Sequence, residues 1–260
     1  MASPVSLPKK PKVVESNTNR AVIEIDELYP GYGATLGNSL RRVLYSSLDG
    51  AAITSVKIEG VSHEFSTIDG VLEDVLELCL NLKSVRMVLH GDEPQTLTLH
   101  VKGKKVASAK DIETPSQVEI VNPDVHIATL TSSTASLKVE LTVERGVGYV
   151  QAEQDGKEKK EIGVIRLDAA FSPVVKINFD VENTRVGDRT DYNKLLIDIT
   201  TDGTLAPEDA YEKAAVVLLE HIGAITELEG KPVKKASAKK SVKKAGETKK
   251  AGKKVKVAKK

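Results

Sequence analysis

The amino-acid sequence predicts an α+β fold, and the order of its segments is the main reason. Amphipathic helical patterns lie near the beginning and the end of the 260-residue chain, while most of the sequence between them reads as short strands. Strands joined by Gly, Pro, Asn and Asp, rather than by helices, favour antiparallel sheets over alternating β-α-β units. We therefore expect helices packed on antiparallel sheets.

The first elements are a strand at Ala21–Ile25, a turn-rich loop at Tyr29–Gly31 and then a helix. This helix is predicted from Thr35 to Leu48, and we expect it to stop at Asp49–Gly50. Its apolar residues recur at helical spacing on one face, at Leu36, Leu40, Val43, Leu44 and Leu48. Adjacent arginines, Arg41 and Arg42, border that face.

A second helix is predicted over residues 70–82, with Asp69 as its N-cap and with Glu73 and Asp74 in its first turn. Residues 151–160 are polar and are expected to form a mobile loop. The other segments are strand-like and comprise Ile53–Ile58, Arg86–His90, Gln95–Val101, Gln117–Val121, Ala135–Val143, Glu161–Leu167, Lys176–Val181 and Lys194–Thr200.

The last predicted helix begins at Pro207, with Glu208 and Asp209 in its first turn. Its apolar face consists of Ala210, Ala214, Val217, Leu218, His221, Ile222 and Ile225. The wide aliphatic faces of the first and last helices must be buried against other residues. The pattern alone leaves two possibilities open, burial inside one chain or contact with a second copy.

Charge is divided unevenly along the chain. Residues 231–260 hold fourteen lysines and one acid, Glu247, whereas the rest of the chain holds 24 basic and 36 acidic residues. The terminal composition cannot bury enough apolar surface to offset its ordering entropy, so we expect a disordered tail on an acidic globular body. The single cysteine, Cys79, excludes an internal disulfide and fits the cytoplasm. We expect neither a signal peptide nor a membrane anchor.

Several enzymatic interpretations fail on spacing. A strand, three glycines, a helix and Glu59 loosely mimic a dinucleotide-binding turn, but five residues, Asp26–Pro30, separate the strand from the first glycine. The sequence has no Asp-x-Asp pair for magnesium and no P-loop, and its five histidines lack metal-ligand spacing. We expect no cofactor and no metal.

Six ordered segments closely resemble the amino-terminal domain of the bacterial RNA polymerase alpha-subunit family. They are Gly31–Leu44, Val56–Thr67, Gly70–Lys83, Val143–Val150, Phe171–Val174 and Arg189–Leu195. The resemblance implies a discontinuous dimerisation subdomain, residues 1–49 and 174–230, with an inserted β-rich subdomain, residues 50–173. It also implies a homodimer formed by the first and last helices, through Leu36, Leu40, Val43, Leu44, Val217, Leu218, His221, Ile222 and Ile225.

The resemblance further implies a non-catalytic subunit that nucleates the core enzyme, with omega and sigma joining in the holoenzyme. Arg42 and the segment His63, Glu64, Phe65, Ser66 and Thr67 match positions that bind the β subunit. Lys83, Ser172, Pro173 and Val174 match positions that face the β′ subunit, and the longer segments Ser172–Thr184 and Leu196–Leu205 match others on that side. The protein would be cytoplasmic and associated with the nucleoid through the polymerase.

The family also has a carboxy-terminal helical domain that reads promoter DNA, and we expect no such domain here because the sequence ends in lysines. Lysine runs bind DNA without base specificity by releasing counterions. Candidate DNA contacts are Lys234, Lys235, Lys239, Lys240, Lys243, Lys244, Lys249 and Lys250. A purely solvated tail and a DNA-binding architectural protein driven by this tail remain the alternatives.

Overall fold

A computed structural model describes residues 5–152 and 163–226, and the structural statements below concern these two ranges. The described chain is a mixture of antiparallel sheets and helices, which confirms the α+β prediction. Its α-helices are α1 (Tyr32–Ser46), α2 (Val75–Lys83) and α3 (Pro207–Thr226). Within the described ranges, no helix has the length and apolar character that crossing a bilayer requires.

The strands are numbered in chain order. They are β1 (Lys12–Asn17), β2 (Arg20–Leu28), β3 (Asp49–Ile58), β4 (Met87–Leu89), β5 (Gln95–Lys102), β6 (Val106–Ser108), β7 (Ile112–Glu113), β8 (Val118–Ile120), β9 (His126–Thr129), β10 (Ser136–Val147), β11 (Tyr149–Val150), β12 (Val164–Arg166), β13 (Ala169–Ala170), β14 (Val174–Val186) and β15 (Arg189–Thr201).

The first sheet has the order β1-β2-β15-β14, and every neighbouring pair is antiparallel. Strands from the beginning and the end of the chain therefore lie side by side. The sheet packs against α1, and the first half of α3 contributes residues to the same core. The buried residues of this first core are Ile23, Ile25, Leu28, Leu40, Leu44, Leu48, Val174, Ile177, Leu195, Ile197, Ile199, Ala210 and Ala214.

The second sheet has the order β12-β3-β10-β5-β7, again antiparallel throughout. It shares a second core with α2 and with the short strand pairs β4–β8 and β6–β9. The two cores have no buried residue in common. The division into a discontinuous subdomain and an insertion stays a prediction, because the chain up to Ile222 forms one compact unit.

The start of α2 differs from the prediction. The N-cap is Asp74, whose side chain accepts a hydrogen bond from the Glu77 N–H at 2.7 Å, and not Asp69. The residues before the cap are held outside the helix, since the Leu72 N–H bonds the Thr129 carbonyl. Asp69 and Asp74 are both acceptable caps, and pairing with the distant β9 selects the second.

The end of α1 also differs from the prediction. The helix ends at Ser46, and Asp49–Gly50 begins β3 instead of forming a terminating turn. Gly50 is required by packing, because a Cβ there would lie 1.9 Å from the Phe171 carbonyl oxygen. Most of the predicted 151–160 loop and the whole 231–260 tail lie outside the described residues.

Candidate functional site

Two glycines allow α1 to lie close to its sheet. A Cβ on Gly33 would lie 2.7 Å from the Val181 Cγ1, and one on Gly37 would lie 2.6 Å from the Phe179 ring. Real side chains do not approach so closely, so only glycine permits this spacing between helix and strand. The glycine-rich run therefore serves helix–sheet packing.

The amides at the start of α1 are already occupied. The Asn193 Oδ1 accepts hydrogen bonds from the N–H of Gly31 at 2.9 Å and of Gly33 at 3.4 Å. Asn193 is buried, and it occupies the position at which a helix N-terminus would receive a phosphate. The strands that flank α1, β2 and β3, also belong to different sheets. A dinucleotide-binding β-α-β unit is thereby excluded.

The adjacent arginines of α1 have different surroundings. The Arg41 guanidinium carbon lies 5.3 Å from the centre of the Phe179 ring, and its Nη2 donates to Asn38 Oδ1 at 3.1 Å. The Arg42 side chain is exposed and has no ion pair or hydrogen bond within the described ranges. Arg42 is the one of the pair that is available to a partner.

The predicted apolar face of α1 divides into two parts. Leu40 and Leu44 are buried in the first core of the same chain, whereas Leu36 and Val43 are half-buried at its margin. The face was expected to contact a second copy, and the buried pair cannot do so directly in this structure. Leu36 and Val43 keep partial exposure and remain candidates.

The second half of α3 carries an apolar surface outside the core. Val217 and Leu218 are half-buried, while His221, Ile222 and Ile225 are exposed. The exposed surface also includes Val216 and Leu219, which the predicted face omitted; Leu219 is 70% exposed. Helical spacing could have identified both residues, because the apolar residues of this segment occupy more than one face of the helix.

A second exposed apolar surface lies around α2. Phe65, at 78% exposure, belongs to the predicted segment His63–Thr67, in which the Ser66 hydroxyl donates to the His63 carbonyl at 2.9 Å. Leu76 and Leu80, one turn apart on α2, are exposed, as is Leu72 just before the helix. The Val75 N–H bonds the Ser66 carbonyl at 3.2 Å, which joins the start of α2 to the His63–Thr67 segment. We call this set the α2 strip; it consists of Phe65, Leu72, Leu76 and Leu80. The sequence analysis named only Phe65.

A buried carboxylate fixes the segment that carries the α2 strip. Glu73 is 6% exposed, and its Oε1 lies 2.8 Å from His126 Nε2 while its Oε2 accepts from the Thr129 N–H at 2.6 Å. Burial alone raises the pKa of Glu73, but the bonds from Thr129 and His126 outweigh it, so the pKa lies below its usual range. Glu73 thus ties the residues before α2 to β9.

The predicted β′ contacts are partly enclosed. Lys83 lies 3.5 Å from Asp168 Oδ2, and Ser172 is half-buried with its hydroxyl accepting from the Val174 N–H. Pro173 and Val174 are buried, so direct contact through their side chains is not supported. These residues set the path of the chain into β14 instead.

Burial or ion pairs within the chain account for several other titratable groups. Burial raises the pKa of the Cys79 thiol to about 11, which makes it a poor nucleophile. Asp191 pairs with Arg189 and Asp198 with Arg20. No group of three or more His, Cys, Asp or Glu side chains within residues 5–152 and 163–226 could hold a metal ion.

Comparisons with known proteins agree on one family. A family model described as the RNA polymerase Rpb3/RpoA insert domain matches residues 56–172. The DNA-directed RNA polymerase subunit alpha of Carboxydothermus hydrogenoformans is 52% identical over 216 residues, covering 82% of this chain and 69% of the relative. The proteins of the same name from Moorella thermoacetica and Alkaliphilus oremlandii are each 50% identical over 218 residues, covering 82% of this chain and 69% and 68% of those relatives.

Proposed function

Because the chain belongs to the DNA-directed RNA polymerase alpha-subunit family, we propose that it is a non-catalytic subunit that dimerises and then captures the β and β′ subunits. The observation that carries this proposal is the presence of two exposed apolar surfaces, on α3 and around α2, in addition to the two buried cores. Apolar surfaces of this kind mark contact sites for other proteins.

Dimerisation is assigned to α3 together with the flank of α1. Leu219, Ile222 and Ile225 expose apolar surface along one helix, and Leu36 and Val43 expose part of theirs on the other. A symmetric pairing would bury both sets, since a two-fold interface presents the same residues from each subunit. Leu40 and Leu44 lie beneath this surface and pack α1 onto the first core.

Capture of the β subunit is assigned to Arg42 and to the α2 strip. An exposed arginine that has no partner among the described residues can form a bidentate bond with a partner carboxylate. Aromatic anchors such as Phe65 commonly dominate interface energies. We assign Arg42 and His63–Thr67 to the β subunit, and Lys83 with Ser172 to β′. In a dimer these surfaces occur twice, so each large subunit can take one copy.

The chain's own acids support an assembly role over a catalytic one. Asp198 and Asp191, which are among the more closely spaced acids late in the sequence, are held by arginines. Catalysis of phosphodiester bond formation needs carboxylates converging on magnesium. We therefore assign that chemistry to the partner subunits.

The basic tail supports a second activity, non-specific attachment to DNA. Its fourteen lysines lie outside the described residues, so the support comes from composition alone. Each phosphate contact by lysine releases counterions and makes binding steeply dependent on salt. The alternative assignment, an architectural DNA-binding protein, rests on the same tail.

Co-purification from the native source tests the proposed function. The full-length chain is tagged at its amino terminus, and the proteins that remain bound after a high-salt wash are identified. We expect β and β′ in equal amounts, with roughly one copy of each for every two copies of the chain, as a two-fold interface of the chain requires. Recovery of the chain without either large subunit would refute the proposal and favour the architectural alternative.

A further inference from the structure

Two neighbouring segments at one end of the second sheet combine lysines and hydroxyls without any acidic residue. Residues 101–110 run from the end of β5 through β6, and their lysines are exposed; these are Lys102, Lys104, Lys105 and Lys110. Residues 130–136 lead into β10 and expose the hydroxyl-bearing residues Thr131, Ser133, Thr134 and Ser136. Neither segment contains Asp or Glu, although acidic residues outnumber basic ones by 36 to 24 in residues 1–230.

Backbone pairing holds the two segments side by side. The Gly103 N–H donates to the Ala135 carbonyl at 2.9 Å. Lys102 and Ser136 lie directly opposite each other in the pairing of β5 with β10, so their side chains share one face of the sheet. We call the surface formed by the four lysines and the neighbouring hydroxyls the lysine tip.

Most of the cations of the lysine tip are available to a ligand. Lys105 pairs with Asp111, and its Nζ lies 2.5 Å from the carboxylate Oδ1. Lys102, Lys104 and Lys110 form no ion pair within the described ranges. Several cations elsewhere in the body are instead held by carboxylates of the same chain. The tip therefore keeps positive charge exposed on a body that is acidic as a whole.

The composition of the tip indicates which kind of anion it fits. Its lysines outnumber the two acids that border it, Asp111 and Asp124, so its net charge is positive. Lysine and hydroxyl side chains contact phosphate oxygens in protein–DNA complexes. Residues 101–110 and 130–136 contain no aromatic residue to stack on unpaired bases, and no Arg, Asn or Gln to read base edges. These features fit the phosphate backbone of duplex DNA without preference for its sequence.

We propose that the lysine tip binds the phosphate backbone of duplex DNA, as a contact on the folded body that is distinct from the lysine-rich tail. Lys102, Lys104 and Lys110 neutralise phosphates, and each contact releases counterions from the DNA. The hydroxyls of residues 130–136 donate hydrogen bonds to the adjacent phosphate oxygens. The inference goes beyond the proposed function, which places DNA only at the tail, and it does not depend on capture of β or β′.

Binding of the purified full-length chain to a short duplex DNA, measured against salt concentration, tests this inference. Lys102→Gln/Lys104→Gln removes two charges of the tip. Lys10→Gln/Lys12→Gln is the matched control, because all four lysines are exposed and have no ion pair in the part of the chain that the structure describes. With matched melting temperatures, we expect the slope of log affinity against log salt to fall by about 0.9 per lost phosphate contact, about 1.8 in the tip variant, and to stay near the parent value in the control. A parental slope in the tip variant, or equal losses in both variants, would overturn the inference.

Lysine labelling locates the contact without any substitution. An amine-reactive reagent modifies the full-length chain with and without the duplex, and mass spectrometry of its peptides gives the rate at each lysine. With DNA bound, Lys102 and Lys104 should react slower by about threefold or more, whereas Lys10 and Lys12 should keep their rates. Bound DNA that leaves Lys102 and Lys104 unprotected would confine binding to the tail and refute the proposed site. Protection by single-stranded RNA but not by duplex DNA would refute it too, since the tip would then bind a different nucleic acid.

Discussion

Adjacent residues of this chain perform different tasks because their surroundings differ. Arg41 stacks on Phe179 and bonds Asn38, whereas Arg42, one position later, faces outward without a partner in the described ranges. A helix rotates by about 100° per residue, so adjacent side chains point in different directions. The sequence shows only an Arg-Arg pair, and the structure gives the two side chains different surroundings.

Replacement of Arg42 tests its assignment. Arg42→Ala should leave the melting temperature unchanged and weaken β-subunit capture by about 2 kcal/mol, roughly 30-fold in Kd, because a partner group loses its charge-assisted bonds. The measurement is a binding titration with purified β. Arg42→Lys is the matched variant, which keeps the positive charge but lacks the planar guanidinium that forms bidentate bonds. Unchanged affinity of Arg42→Ala would remove this residue from the interface.

Glu73 makes a prediction about pH. Its folded-state pKa lies below the usual value of 4.5, so the stability that it contributes is present at neutral pH and is lost as pH falls through the folded value. Glu73→Gln should lower the free energy of unfolding by about 1–3 kcal/mol at pH 7, and the difference should shrink below pH ~4.5. Denaturant titrations across pH measure both. Equal stability of the two proteins at pH 7 would contradict the assigned bonds.

The two helices at the ends of the folded chain show how one element can serve two surfaces. The first half of α3 buries Ala210 and Ala214, whereas its second half exposes Leu219 and Ile225. In α1, one side packs on the sheet and one flank borders the β14 edge. Along α3, buried residues are therefore followed by exposed ones. On α1, buried and exposed residues lie on different sides of the helix.

Polar substitution on α3 tests the dimer. Leu219→Gln should weaken self-association by about 2 kcal/mol or more, since a buried leucine contributes this much relative to an exposed one. Glu220→Gln, on the neighbouring exposed position, is the matched control and should leave self-association unchanged. Sedimentation equilibrium measures both. Equal dimer affinity of Leu219→Gln and the parent chain would place the interface elsewhere.

Whether a feature could be predicted from the sequence depended on how far apart along the chain the interacting residues lie. Strands such as β5 and β10 and the start of α3 were predictable because their patterns are local. The cap of α2 was not, because the choice between Asp69 and Asp74 depends on pairing with β9. The burial of Leu40 inside the chain was equally hidden, since an apolar pattern does not tell which neighbour covers it.

At the scale of the whole molecule, the chain combines an acidic body with a strongly basic terminus. The body supplies the contact surfaces described above, and the terminus supplies charge. Because the two parts use different physical forces, they should respond differently to salt. Apolar contacts persist at ionic strengths that screen exposed charges.

Truncation separates the two contributions. We expect removal of residues 231–260 to leave assembly with β and β′ intact. For binding of the assembled enzyme to promoter DNA, the plot of log affinity against log salt should become shallower, by about 0.9 for each lysine that contacts a phosphate. An unchanged slope would show that the lysines are only solvated.

Reconstitution followed by native mass spectrometry tests the central claim most directly. The purified full-length chain is mixed first with β and then with β′, and the masses of the complexes give their stoichiometry. The proposed function predicts a dimer of the chain, then two copies bound to one β, and then the same complex with one β′. A chain that stays monomeric and binds neither large subunit would contradict it.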